Sequence, residues 1–158
     1  MAERPRFLAD EMLGSLARWL RIMGYDTGYA KGRDDTAILR EARAERRVLL
    51  TRDRQLAERA GDGGLLIESD ELEEQLAQVT GRYGLKFDEP MTRCALCNGE
   101  LVLVPRSEVA GKVPPRVLEA NEEFLVCRSC GQVYWKGSHW DRIVKQLDRA
   151  LRGGSGPR

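Results

Sequence analysis

The stretch 46-RRVLLTRDRQLAERAG-61 decides how the chain folds. Val48-Leu49-Leu50 is an apolar run without polar alternation, as in a strand buried on both faces of a parallel sheet. The run stops at Thr51-Arg52-Asp53. An amphipathic segment, RQLAERA, begins at once and Gly61 closes it, so the spacing predicts a short helix. A strand therefore hands over to a helix on a hydroxyl, a guanidinium and a carboxylate. Asp53 can cap the helix. A cap alone does not explain why similar handovers recur along the chain.

Upstream, RFLAD (6–10) reads as a strand ending on Asp10. Met12, Leu13, Leu16, Trp19, Leu20 and Met23 then recur at helical spacing, with Gly24 as a left-handed stop. YDTGYA (25–30) is a second strand. KGRDD (31–35) leads into a helix whose apolar face is Ile38, Leu39 and Ala42. Downstream, GLLIES (64–69) is a fourth strand, and Leu72, Leu76, Val79 and Tyr83 mark a fourth helix. Strand and helix alternating four times predict an α/β fold, a parallel sheet with helices on both faces.

GLKFDEPMTR (84–93) reads as a linker, which divides the chain into residues 1–90 and 91–158. In the second part, LVLVP (101–105), EFLVC (123–127) and QVYW (132–135) predict a small antiparallel unit. AGKVPPR (110–116) reads as a loop, because two prolines exclude a central strand. A last helix starts at Ser138, with Asp141 in its first turn and Trp140, Ile143, Val144, Leu147 and Leu151 on its apolar face. GGSGPR (153–158) reads as a flexible tail.

The 158 residues are 42% apolar and 32% charged. No apolar run reaches the ~18 residues of a membrane span and no secretory signal opens the chain, so the composition predicts a cytoplasmic protein with no membrane partner. The net charge of +1 is unevenly spread. Residues 1–90 carry 15 Lys and Arg against 18 Asp and Glu, a balance of −3; residues 91–158 carry 11 against 7, a balance of +4. The sign weakly favours nucleic acid at the second part.

Parallel strands end on one edge, so the topology delivers Asp10, Asp34, Asp35, Asp53 and Asp70 to one rim, where open α/β sheets bind ligands. Each aspartate singly fits a helix cap, and Asp70 is assigned mainly to that role; of Asp34 and Asp35, one caps and one points inward. Together they would repel unless one took up a proton or a cation sat among them. Mg²⁺ or Mn²⁺ suits oxygen ligands and leaves positions for phosphate oxygens. Thr51 and Asp53 would then be cation ligands, or nearly so, placed by the end of the strand. A haloacid-dehalogenase-type phosphatase needs D-x-D after the first strand, where this chain has DEM. A receiver domain needs its acidic pair at strand one, and no G-x-x-x-x-G-K-[ST] marks a P-loop.

C-A-L-C, 29 intervening residues and C-R-S-C-G place Cys94, Cys97, Cys127 and Cys130 in two metal knuckles, a tetrahedral site for structural zinc, with iron as the alternative. A closed Cys₄ site implies a folding role, in a module with little core of its own. His139 is either a polar first-turn residue or a phosphate contact at a helix N-terminus. Trp135 and Trp140 suit a core, while Tyr134 or Trp135 could stack on a base. Arg18, Arg21, Arg52 and Arg54 read as solvated helix faces, Arg52 being the best placed for phosphate.

With FLADEMLGSLARWLRIMGYD, DDTAILREAR, VLLTRD, both C-x-x-C pairs and YWKGSHW in order, the chain resembles the Mut-seven C-terminal RNase domain family over nearly its whole length. The resemblance implies a PIN-like nuclease domain followed by a zinc ribbon. It implies acids around Mg²⁺ or Mn²⁺ that cut RNA, namely Asp10, Asp35 and Asp53 with Thr51 beside the last. The competing expectation is a non-catalytic RNA- or ribosome-associated binding module on the same scaffold.

Overall fold

The computed structural model describes residues 4–87 and 93–153, the side chain of His139 excepted. The expected boundary near residue 90 and the tail from 154 onward lie outside the described residues. Strand β1 (Phe7–Asp10) passes through a 3-10 turn, Glu11–Leu13, into helix α1 (Gly14–Ile22). There follow β2 (Thr27–Ala30), α2 (Asp35–Ala44), β3 (Val48–Thr51), α3 (Arg54–Ala60), β4 (Gly64–Leu66) and α4 (Leu72–Tyr83). The four strands are parallel in the order β2-β1-β3-β4.

The uninterrupted apolar runs are sorted by the two-residue period of a strand. Phe7, Ala9 and Leu50 face the core shared with Leu16 and Leu20 of α1, Met23 at its C-terminal cap, and Leu76 and Val79 of α4. Leu8 and Leu49 face the opposite core, against Ile38, Leu39 and Ala42 of α2 and Leu56 of α3. Both faces are thus sealed, and the sheet is left open at its strand ends. The chain leaves β1 toward β2 on one side, then returns across β1 to β3 on the other. The strand order reverses between β1 and β3, the crevice where such sheets take ligands.

The helical phase after β1 differs from the expected one. The 3-10 turn rotates Met12 outward, where it is 69% exposed, and the core stripe begins at Leu13. Gly24 has the expected left-handed backbone, φ +94°. Asp70 does not cap α4: the cap position is Glu71, whose N–H donates to Ser69 Oγ at 3.0 Å.

The second half forms a three-stranded antiparallel sheet, β5 (Leu101–Pro105), β6 (Glu123–Cys127) and β7 (Val133–Tyr134), followed by α6 (Ser138–Gly153). The expected loop at 110–116 runs into a short helix, α5 (Pro115–Ala120), because proline presets φ for a first helical turn. Val104, Val109, Val113 and Phe124 are buried together against α5, so this sheet has a small core of its own. Trp140, Leu147 and Ala150 of α6 join the larger core of the first sheet, as do Leu101, Leu125 and Cys127. One hydrophobic cluster therefore spans both sheets.

Polar contacts lock the same junction. Arg21, expected on a solvated face, is buried; its Nε donates to the Thr27 carbonyl at 2.8 Å and its Nη1 to the Ala95 carbonyl at 3.0 Å. Asn98 sits at φ +71°. Its Oδ1 accepts from the Thr27 N–H at 2.9 Å and its Nδ2 donates to Asp26 Oδ1 at 2.7 Å. Asp26 also pairs with Arg6 and Arg47; burial raises its carboxyl, but the Asn98 amide and the Arg47 and Arg93 guanidinium groups outweigh it and hold the group below the usual range. The side chain of one asparagine thus satisfies the buried end of β2.

Candidate functional site

Thr51 is fully buried at the end of β3. Its Oγ1 accepts from the Asp53 N–H at 3.0 Å and donates to Asp10 Oδ2 at 2.5 Å. The hydroxyl therefore ties the turn after β3 to the last residue of β1, across the crevice where the strand order reverses. That is why the strand ends on a threonine. Asp10 Oδ1 accepts from the Met12 N–H at 3.2 Å, and Asp53 Oδ1 accepts from the N–H groups of Gln55 and Leu56 at 2.9 and 3.2 Å. Asp34 caps α2 through the Ala37 N–H, leaving Asp35 in its first turn. The rim aspartates do act as caps, but each cap uses one oxygen. The second oxygen of Asp53 makes no hydrogen bond among the described residues.

Asp10 is only 7% exposed. Burial pushes its carboxyl above the ordinary range; the bonds from Thr51 and Met12 oppose this, and the charges of Asp53 and Asp35 add to the rise. The three candidate acids therefore share a field. They do not form a tight cage. Among the described residues, the group of metal-type ligands that converges is Cys94, Cys97, Cys127 and Cys130, whose sulfurs all lie within 4.8 Å of one another. Arg52 turns away from Asp10: its Nη2 reaches the Glu68 carbonyl at 3.4 Å, and its Nε is buried without a partner.

The cysteine cluster has the surroundings of a structural metal site. The N–H groups of Gly99 and Cys130 donate to the sulfurs of Cys97 and Cys127, each at 3.4 Å, and the Tyr134 hydroxyl lies 3.1 Å from Cys94 Sγ. Such outer bonds orient the thiolates. Burial raises the Cys127 thiol, but the N–H groups of Cys130 and Ser129 and the adjacent thiols outweigh it and bring it down to about 7. A Cβ on Gly99 would lie 2.8 Å from Cys127 Sγ, so only glycine fits there. Four soft thiolates at this separation fit zinc.

Trp135 packs edge-on against Phe124, with ring centroids 6.4 Å apart. It also lines an apolar cleft of about 210 Å³ with Arg18, Tyr134, Trp140 and Ile143. The side chain of His139 lies outside the described residues. Arg21 and Asn98, which join the knuckle to the first sheet, were missed by sequence reasoning. An asparagine directly after C-x-x-C, where a left-handed residue is common, was the available signal.

A protein-family model described as the Mut7-C RNAse domain matches residues 5–147, which takes in both sheets, the rim and all four cysteines. No curated protein and no solved structure matches the chain.

Proposed function

The chain belongs to the Mut7-C RNAse domain family, and on that premise we propose that it is a Mg²⁺- or Mn²⁺-dependent ribonuclease with a PIN-like first domain. Asp10, Asp35 and Asp53 would hold the cation, and Arg52, Trp135 and His139 would contact RNA. The observation that carries this is the state of Asp10. A buried carboxylate at the β1–β3 crevice is raised by burial and by two neighbouring acids, and among the described residues it makes no ion pair. A hard divalent ion is the chemistry that such oxygen donors fit.

The chain's own residues set the stage in three ways. Thr51 fixes which oxygen of Asp10 is engaged and, by donating to it, opposes the rise that burial causes. The cap bonds of Asp53 fix its rotamer, so its other oxygen can face the rim. The N-terminus of α2 favours negative charge at the same edge. A bound cation would supply charge to the phosphoryl oxygens and acidify water there. Asp53 is exposed and Asp35 half-buried, so either could accept a proton from an attacking water.

The alternative, a non-catalytic RNA-binding module, draws on the spacing of the acids, which do not converge as the thiols do. Incubating single-stranded RNA with the protein, with and without Mn²⁺, separates the two. Mn²⁺-dependent hydrolysis that Asp53→Asn abolishes supports the enzyme. Tight binding with no turnover in either protein supports the module.

A further inference from the structure

The surface around the rim is electrostatically lopsided. Beside β4 and α4, the carboxylates Glu68, Asp70 and Glu74 surround the depression into which Arg52 turns. Three carboxylates against the one guanidinium of Arg52 make this side net acidic, so a strand that meets Arg52 at the rim is not drawn further along it. On the sheet face covered by α2 and α3 the pattern reverses. A groove of about 260 Å³ between these helices is lined by Thr36, Leu39, Arg40, Arg43 and Arg59. Its lining begins at Thr36, the residue after Asp35.

These arginines are not used as ion pairs. Arg59 Nη2 donates to Thr36 Oγ1 at 3.1 Å, and Arg43 Nη2 to the Arg59 carbonyl at 3.1 Å. Both bonds hold the guanidinium groups along the groove without neutralising them. The nearby Glu41 and Glu45 are committed to Arg33 and Arg47. Among the described residues, Arg40, Arg43 and Arg59 have no carboxylate at ion-pair distance, and Glu58 is the remaining acid of α3. Three unneutralised guanidinium groups lining one groove repel one another until an anion joins them. From Thr36 to Arg43 the groove follows α2 for about 10 Å, at 1.5 Å per residue.

We propose that the α2–α3 groove carries the phosphate backbone of a single RNA strand away from the acidic rim, with Arg40, Arg43 and Arg59 each neutralising a phosphate. This rests on the ribonuclease reading and adds the direction of the substrate path. The strand leaves the rim over α2 and α3, on the side away from the carboxylates of β4 and α4.

The test is equilibrium binding of a fluorescein-labelled single-stranded oligoribonucleotide, without added Mg²⁺ or Mn²⁺, across a range of salt. Each phosphate neutralised on a single strand contributes about 0.7 to the slope of log K against log salt. Arg40→Gln/Arg43→Gln/Arg59→Gln should lower that slope by about 2 and weaken binding at least about tenfold at low salt. The matching triple Arg→Lys variant should keep the slope, since the charge stays. Lys112→Gln/Arg116→Gln/Arg128→Gln, three exposed cations of the second half, should also keep it. If the groove triple binds with an unchanged slope, or the ribbon triple alone loses it, the groove assignment is overturned. The parent's Mn²⁺-dependent cleavage of the same RNA, measured in parallel, then shows whether the nuclease reading still stands. A parent that neither binds nor cleaves RNA overturns both.

Discussion

Thr51→Val is the most informative single change. Valine matches threonine in shape, so the buried end of β3 is kept while one hydroxyl is removed. Two bonds go with it: the donation to ionised Asp10 at 2.5 Å and the acceptance from the Asp53 N–H at 3.0 Å. A hydrogen bond to a charged group is worth about 1.5–3 kcal/mol and a neutral one about 1. Burying an extra methyl returns about 0.8 kcal/mol. The expected loss is about 2–3 kcal/mol at neutral pH, or roughly 5–10 °C in Tm for a chain of this length. The sign of the pH dependence follows from Asp10. Its folded pKa is raised, so the stability it contributes is present at low pH and lost as pH rises through that raised value. Removing Thr51 raises it further. The variant's deficit should therefore be largest at neutral pH and shrink as the pH falls toward the ordinary carboxylate range. Urea unfolding of parent and variant, from neutral pH down to about 4.5, just above the ordinary carboxylate values, measures this. Repeating it in an Asp10→Asn background should cut the Thr51→Val cost to about 1 kcal/mol, since only neutral bonds remain. A deficit that is the same at every pH, or undiminished in the Asp10→Asn background, refutes the claim that Thr51 serves an ionised Asp10.

Other outcomes follow from the same contacts. Without divalent cations, Asp10→Asn should be at least as stable as the parent, because it removes a buried like charge; Mn²⁺ should raise the parent's Tm and move the variant's much less. The purified protein should hold about one tightly bound metal per chain, colourless if zinc, with visible absorbance pointing to iron. Cys127→Ser should lower the melting of both halves in one transition, and limited proteolysis that leaves residues 4–87 intact would show instead that they fold alone. Asn98→Ala should cost about 3 kcal/mol and Asn98→Gly about 2, because glycine relieves the left-handed backbone but restores neither the Thr27 bond nor the Asp26 bond; equal costs would remove the backbone part of that account.

The parallel sheet was legible because its signal is local. Short apolar runs, polar turns and the helical spacing of Leu16 and Leu20, or of Leu76 and Val79, lie within a few residues of one another. The common edge of Asp10, Asp35 and Asp53 followed from parallel topology, which needs no coordinates. The knuckles were legible from two C-x-x-C pairs. What could not be read was any fact that depends on a distant partner. Arg21 looks like a surface arginine until its carbonyl partner 74 residues away is in place. Met12 fits the stripe of α1 unless one knows that a 3-10 turn comes first. The helix after Pro114 was hidden because the same prolines that stop strands also start helices.

The cysteine cluster and the acids proposed to hold a cation stand at opposite ends of one short strand, and this would separate their roles. Asn98, directly after Cys97, meets β2 at its first residue, Thr27. At the other end Asp10 pairs with the last residue, Ala30, in the register of the sheet, and Asp34 and Asp35 follow in the chain. The three steps from Thr27 to Ala30, at about 3.3 Å each, put roughly 10 Å of strand between the two ends. A metal held by the knuckle therefore cannot share a phosphate oxygen with the rim, and its influence must pass through the strand. The knuckle holds the start of β2 by the bonds of Asn98 and Arg21 to Thr27, and β2 in turn carries the loop that presents Asp34 and Asp35. Stripping the cysteine metal should accordingly act on folding first, with any loss of cleavage following the fraction unfolded. Stripping the rim cation should stop cleavage while the fold persists. Far-UV circular dichroism and RNA cleavage, recorded on the same samples during graded chelation, distinguish these orders; cleavage lost ahead of structure as the cysteine metal leaves would put that metal in the chemistry.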